Sequence, residues 1–197
     1  KNKRRSVATL RLISLNVPKN SPSYLKHFLS SRRKKKMLNR AVFAQPARFA
    51  GAEIRKNLFL GNAKMANSIW LLQQLNITVV VNCAIEVESK LFGHQNLTHY
   101  FLSMNDDHQQ DILTILPKII PIIDQHLKNG EAVLIHCAQG ISRSASILAG
   151  YLMWSEKKPF QEILKSIKSK REVASPNLYF CRQLEKFEQD LRKDNRI

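Results

Sequence analysis

At 197 residues and 22.7 kDa, with 44% hydrophobic and 24% charged residues, the chain has the length and composition of one domain with a full core. Its 32 Lys and Arg against 15 Asp and Glu leave a net charge of +17, which on its own points to a nucleic-acid or membrane-surface partner. No run of about 20 apolar residues suggests a transmembrane helix. Cys83, Cys137 and Cys181 lie far apart, which excludes a disulfide framework or structural zinc site and fits a reducing, intracellular compartment.

The charge is unevenly placed. Residues 1–56 hold 16 basic residues and one acid, Glu53, while residues 57–197 hold 16 basic residues and 14 acids. Two clusters, Lys1 to Arg5 and Arg32 to Lys36, flank a segment rich in Ser and Asn that contains Pro18 and Pro22. Runs of like charge repel one another and favour a solvated tail, so residues 1–52 are expected to form a basic, flexible arm, with a single domain over 53–194. Within the arm, Ser23 to Ser31 has the composition of a short helix formed only on binding. No apolar core of a secretory signal is present in it.

From Ile54 onward strand and helix signals alternate. Asn57 to Leu60 predicts a short strand closed by Gly61. Asn67 is expected to cap a helix through Trp70, Leu71, Leu72 and Leu75, stopped at Asn76. Ile77 to Cys83 is a β-branched run suited to a buried strand, and His99 to Met104 predicts another. Asp111 opens an apolar helix to about Leu127, in which Pro117 and Pro121 predict a late start or a kink. Ala132 to Ile135, after the Asn129-Gly130 turn, is a further buried strand. It leads through a short loop into a helix carrying Ile147, Leu148, Tyr151 and Leu152. Two more helices follow, near Pro159 to Ser169 and Asn177 to Leu191. The pattern is α/β, a central and mostly parallel sheet flanked by helices.

The strand-to-helix loop carries the chemistry. It reads His136-Cys137-Ala138-Gln139-Gly140-Ile141-Ser142-Arg143-Ser144. Five residues between Cys137 and Arg143 suit a loop that wraps one tetrahedral oxyanion. The backbone N–H groups of Ala138, Gln139, Gly140, Ile141, Ser142 and Arg143 are expected to point inward, with Gly140 permitting the tight turn. The helix that follows adds its positive end, and Arg143 grips two phosphate oxygens. The same field favours the thiolate of Cys137, the form of a cysteine that is nucleophilic. Ser144 is placed to donate a hydrogen bond to that sulfur as it leaves. Together these residues suit attack on phosphorus and a cysteinyl-phosphate intermediate, with no metal and no cofactor.

The motif resembles that of the cysteine-dependent phosphatases, His-Cys, five residues, then Arg-Ser/Thr. More narrowly, the chain looks like the dual-specificity protein phosphatases. Asn57 to Asn62, Val79 to Ala84, Tyr151 to Trp154 and Ala174 to Glu188 support that likeness, which runs from about residue 55 to 192. The resemblance implies hydrolysis of phosphotyrosine and phosphoserine or phosphothreonine in a phosphoprotein partner. It also implies a general acid from a loop about 30 residues before the cysteine. Asp106 and Asp107 are the candidates, and Asp106 is favoured, standing 31 residues before Cys137 with Asp111 and Ile112 at the following pattern positions. A capping or solvated role better describes Asp107 and Asp111. The resemblance makes His136 a structural histidine of the loop. It also places Cys83 where tensin-type relatives carry a second cysteine that bonds the oxidised nucleophile. The Ala138-Gln139 pair lacks the lysine of lipid-phosphate relatives, which weighs against a phosphoinositide substrate.

Two other functions share the loop: an RNA 5′-triphosphatase and a non-catalytic phosphoprotein-binding module. The arm suits nuclear import or nucleic-acid contact by its clusters, or a mitochondrial presequence, which three consecutive lysines fit poorly. Arg32 to Val42 also resembles the basic-then-hydrophobic docking peptides of kinase partners. Docking of a kinase or an import receptor, and a cytoplasmic or nuclear location, are the expectations; nucleic acid is not, since the arm carries no interleaved aromatic and basic residues.

Overall fold

The computed structural model describes residues 51–91, 93–94 and 96–194, so the expectations for the arm before residue 51 lie outside the described residues. Five strands form one sheet: β1 (Gly51–Arg55), β2 (Leu58–Asn62), β3 (Ile77–Ala84), β4 (Thr98–Met104) and β5 (Ala132–Cys137). Their order is β1-β2-β5-β3-β4. β1 and β2 pair antiparallel, and every other pairing is parallel, as the alternating pattern predicts. β1 lies before the first strand that the sequence predicts, and the boundary expected between arm and body, at residues 52 and 53, falls inside it.

The strands alternate their side chains between two apolar layers. Phe59, Val80 and Leu134 face one cluster, completed by Met65, Ala66, Leu72 and Leu75. Those four come from two short helices and the turn after them, α1 (Ala63–Ala66) and α2 (Ile69–Gln74). Leu58, Leu60, Val79, Val81, Cys83, Val133, Ile135 and Cys137 face the larger cluster on the opposite side. Four helices cover it: α3 (Leu116–Lys128), α4 (Arg143–Glu156), α5 (Phe160–Lys170) and α6 (Leu178–Lys193). α4 is buried over most of its circumference, which is why its sequence shows Ala, Ser and Gly rather than one apolar stripe.

The helix boundaries have local causes. The cap of α2 is Ser68, whose hydroxyl accepts from the Leu71 N–H at 3.4 Å, and not Asn67, which instead ends α1. Asn76 follows α2 with a positive φ of 52°, the left-handed conformation that asparagine tolerates. α3 starts at Leu116, five residues after Asp111. Asp111 holds a separate turn through the N–H groups of Leu113 and Thr114. Pro117 occupies the first turn of α3, where its missing N–H costs nothing, and Pro121 lies within the helix. α5 follows Pro159 without a cap of its own, and Glu188 of α6 accepts from the Phe160 N–H at 2.8 Å instead.

The parallel strands β2, β5, β3 and β4 run in one direction, so their C-terminal ends share an edge. Asn62, Cys137, Ala84 and Met104 end those strands, and the site is built from the loops that leave them.

Candidate active site

Cys137 is the last residue of β5, 2% exposed, and the loop 138–142 connects it to α4. Four of the five carbonyls of this loop are held from outside it, and that of Ser142 accepts from Ser146 within α4. Ala138 O accepts from the Ala63 N–H at 3.2 Å and Ile141 O from the Ser175 N–H at 2.8 Å. Gln139 O and Gly140 O accept from Arg171, through Nη2 at 3.0 Å and Nε at 2.9 Å. With four consecutive carbonyls held from outside, the N–H groups between them are free to converge on the inside. Gly140 adopts φ +68°, and a Cβ there would press on the backbone of Gly61, so only glycine fits.

The sulfur of Cys137 lies among these donors. The Gly140 N–H and the Ser144 hydroxyl each donate to Sγ at 3.2 Å. Burial alone raises the pKa of this thiol, but the Ser144 hydroxyl and the N–H groups of Ser144, Ile141 and Gly140 outweigh it. The net effect holds the pKa below the ordinary value. α4 begins here with no acidic residue in its first turn and no side-chain cap, which leaves its positive end directed at the loop.

Arg143 is 6% exposed at the start of α4. Glu86, just past the end of β3, grips its two terminal nitrogens at 2.6 Å each, and the Met104 carbonyl accepts from Nη1 at 3.1 Å. The Arg143 Nε has no hydrogen-bond partner and lies 3.7 Å from the Asp106 carboxylate. A buried guanidinium donor that makes no hydrogen bond, beside loop N–H groups that face the Cys137 sulfur, is suited to receive an oxyanion.

Asp106 closes the site from the loop after β4. Its Oδ1 accepts from the Ser142 hydroxyl at 2.6 Å and from the Asn177 side-chain amide at 2.8 Å. Asp107 turns away and holds the N–H groups of Gln109 and Gln110, so only Asp106 of the pair faces the nucleophile loop. The arrangement has a buried thiol whose pKa is lowered, an oxyanion cradle, a fixed guanidinium and one carboxyl group above them. It can hold a tetrahedral dianion, attack its central atom and protonate what leaves.

The residues 58–190 match the family model for the dual specificity phosphatase catalytic domain. The chain belongs to the dual-specificity phosphatase family. Dual specificity protein phosphatase 1 of Homo sapiens is 34% identical over 136 residues, 69% of this chain but 36% of that relative's length. Dual specificity protein phosphatase 1B of Arabidopsis thaliana is 30% identical over 141 residues, 72% of this chain and 83% of the relative. The crystal structure of a mouse dual specificity phosphatase complexed with zinc tungstate superposes with a TM-score of 0.71 at 30% identity, covering 77% of this chain and 94% of that one.

In this family member the sequence motif brings Cys137, Ala138, Gln139, Gly140, Ile141, Ser142, Arg143 and Ser144 into one loop and helix start, with Asp106 beside them. His136 is 1% exposed, its Nδ1 3.4 Å from the Cys137 carbonyl, and burial pushes its pKa down to about 4. A pKa that low keeps the imidazole beside the loop neutral near pH 7. Cys83 is fully buried on the same face of the sheet as Cys137, one step beyond the paired residues Asn82 and His136.

Four contributors escape a reading of the sequence alone. Glu86 is a single acid after a strand. Arg171 lies in a stretch of mixed charge. Asn177 signals a helix cap, which it is, accepting from the Phe180 N–H at 2.8 Å, but nothing signals its second bond to Asp106. Gln183 accepts from the Ile112 N–H at 2.7 Å and donates to the Gln110 carbonyl at 2.9 Å, which ties the Asp106 loop to α6.

Proposed function

We propose that the chain is a protein phosphatase that hydrolyses phosphotyrosine and phosphoserine or phosphothreonine through a cysteinyl-phosphate intermediate. The observation that carries this reading is the loop itself, with four carbonyls held outward, the Cys137 sulfur on two donors, and an Arg143 Nε that makes no hydrogen bond beside it. The tungstate named with the mouse relative is a tetrahedral oxyanion of the kind such a cradle takes.

The phosphate of the substrate enters the ring of N–H groups and meets Arg143, which Glu86 holds in place. The Cys137 thiolate attacks phosphorus, the bond to the ester oxygen breaks, and Asp106 gives that oxygen its proton. The alcohol or phenol leaves and the phosphate stays on sulfur. Asp106, now a carboxylate, takes a proton from water as that water attacks phosphorus. The sulfur–phosphorus bond breaks, the Ser144 hydroxyl stabilises the departing thiolate, and inorganic phosphate is released. Both steps balance without metal or cofactor.

Cys83 is the resolving thiol of the oxidised enzyme in this reading. Peroxide converts the Cys137 thiolate to a sulfenic acid, and the Cys83 thiol displaces the hydroxyl to form a disulfide and water. Neighbouring parallel strands carry both cysteines on one face of the sheet, one step beyond the paired residues Asn82 and His136, which supports this pairing. Mild peroxide followed by non-reducing peptide mapping is expected to yield the Cys83–Cys137 pair, and recovery of only over-oxidised Cys137 would sink this role.

Residues 1–52 serve as a handle for a kinase or an import receptor, supported by their basic clusters, and the chain acts in the cytoplasm or nucleus. The relatives do not favour the two other readings, an RNA 5′-triphosphatase and a phosphoprotein-binding module without catalysis. The test is phosphate release from a phosphopeptide, an RNA 5′-triphosphate and a phosphoinositide, measured side by side. Wild type is expected to act on the phosphopeptide, with Asp106→Ala slowed about a hundredfold or more and Cys137→Ser inactive. A wild type that releases phosphate only from RNA would overturn the reading.

A further inference from the structure

Among the described residues the exposed large apolar side chains are Trp70, Ile85, Phe101, Val173, Leu178 and Tyr179. Scattered singly, such residues are ordinary. Four of these six stand on the segments that hold the phosphate loop and its acid. Ile85, 59% exposed, adjoins Glu86, and its N–H donates at 3.2 Å to the same Met104 carbonyl that Arg143 uses. Val173, 45% exposed, lies midway between Arg171 and Ser175, both of which bind loop carbonyls. Leu178 and Tyr179, 62% and 46% exposed, follow Asn177, which donates to Asp106. The Tyr179 ring is 5.6 Å from that of His108, two residues past Asp106.

The loop adds no charge to this rim beyond its own needs. Ala138, Gln139, Ile141 and Ser142 carry no cation, and Arg171 is 9% exposed with its Nε and Nη2 on loop carbonyls. A second anionic group next to the bound phosphate therefore finds no basic side chain in the loop to meet it. Ile85, Val173, Leu178 and Tyr179 are thus exposed apolar side chains on the segments that hold Cys137, Arg143 and Asp106, where residues flanking a bound phosphate would lie.

We propose that the mouth selects phosphorylated side chains flanked by apolar residues and disfavours acidic flanks. This rests on the phosphatase reading above and names the substrate class of that site. Covering parts of three or four half-exposed apolar side chains corresponds to a preference on the order of tenfold in kcat/KM.

The test uses the full chain and matched phosphotyrosine peptides with Leu or Phe, or with Asp, on either side of the phosphorylated residue. A small aryl phosphate serves as a substrate that does not reach the rim. Apolar-flanked peptides are expected to give about tenfold higher kcat/KM than Asp-flanked ones. Leu178→Ser and Val173→Ser should shrink that ratio to about threefold or less while leaving aryl phosphate turnover unchanged. Serine suits the first turn of a helix, so Leu178→Ser is compatible with α6. Equal rates on all peptides with intact aryl phosphate turnover would overturn the inference and leave the phosphatase reading standing. So would a preference that survives both substitutions. Failure to hydrolyse even the aryl phosphate would overturn the phosphatase reading, and this inference with it.

Discussion

Cys137 sits where burial and hydrogen bonding oppose each other, and the balance decides whether it is a nucleophile. Burial favours the neutral thiol, while one hydroxyl and three N–H groups favour the thiolate and prevail. Removing the hydroxyl tests the balance. Ser144→Ala should move the pH at which Cys137 becomes reactive to iodoacetamide upward by about one to two pH units, the worth of one hydrogen bond to a charged group. His136 tests burial chiefly, with the Cys137 carbonyl opposing it and the charge of His99 adding to it. Its imidazole, held down to about 4 from an ordinary 6.5, binds its proton more readily in the unfolded chain. Stability should therefore be unaffected above pH 6.5 and fall as the pH drops from there to about 4, by about 3 kcal/mol in total. His136→Gln should remove that part of the acid slope in urea denaturation. An unchanged slope would mean that the imidazole is less buried than described. The loop residues were legible because each has a chemical need that few residue types meet: a thiol, a guanidinium, and a glycine at φ +68°. Glu86 was not, because a carboxylate that orients Arg143 from a distant loop leaves no pattern around itself.

At the scale of elements, the parallel strands and long helices follow from apolar periodicity, and the errors cluster where side chains replace backbone rules. Ser68 rather than Asn67 caps α2, and Asp111 closes a turn of its own before α3 begins at Leu116. Both sites offer two adjacent capping residues or a proline nearby, and only the packed neighbours choose between them. β1 was missed because its pairing with β2 is made across a two-residue turn from a segment whose charge reads as arm. α6 carries a double duty that follows from its placement. Asn177 caps the helix with its oxygen and holds Asp106 with its nitrogen. Asn177→Ser keeps a good cap and loses the amide donor to Asp106 without setting a second carboxylate beside it, so thermal stability should change little. Turnover of an alkyl phosphate, whose poor leaving group needs Asp106, should fall about tenfold or more while an activated aryl phosphate is less affected. A parallel loss on both substrates would assign Asn177 to folding rather than to positioning the acid.

For the whole molecule, the net charge of +17 separates into a basic segment before residue 57 and a nearly balanced body. The body needs no bulk charge to hold a phosphate. Outward-held carbonyls, the start of α4 and one arginine concentrate the positive field at the mouth of the sheet. Removing residues 1–50 should therefore leave kcat on an aryl phosphate within about twofold of the full chain, with any effect confined to protein substrates or partners. A large loss on the small substrate would place part of the catalytic field in the arm. In the proposed reaction phosphate passes through the sulfur of Cys137. Acid quenching during turnover of an aryl phosphate, followed by peptide mass spectrometry, tests it most directly. A phosphate adduct is expected on the Cys137 peptide in wild type and none in Cys137→Ser. An adduct on another residue, or phosphate release by Cys137→Ser at the wild-type rate, would contradict it.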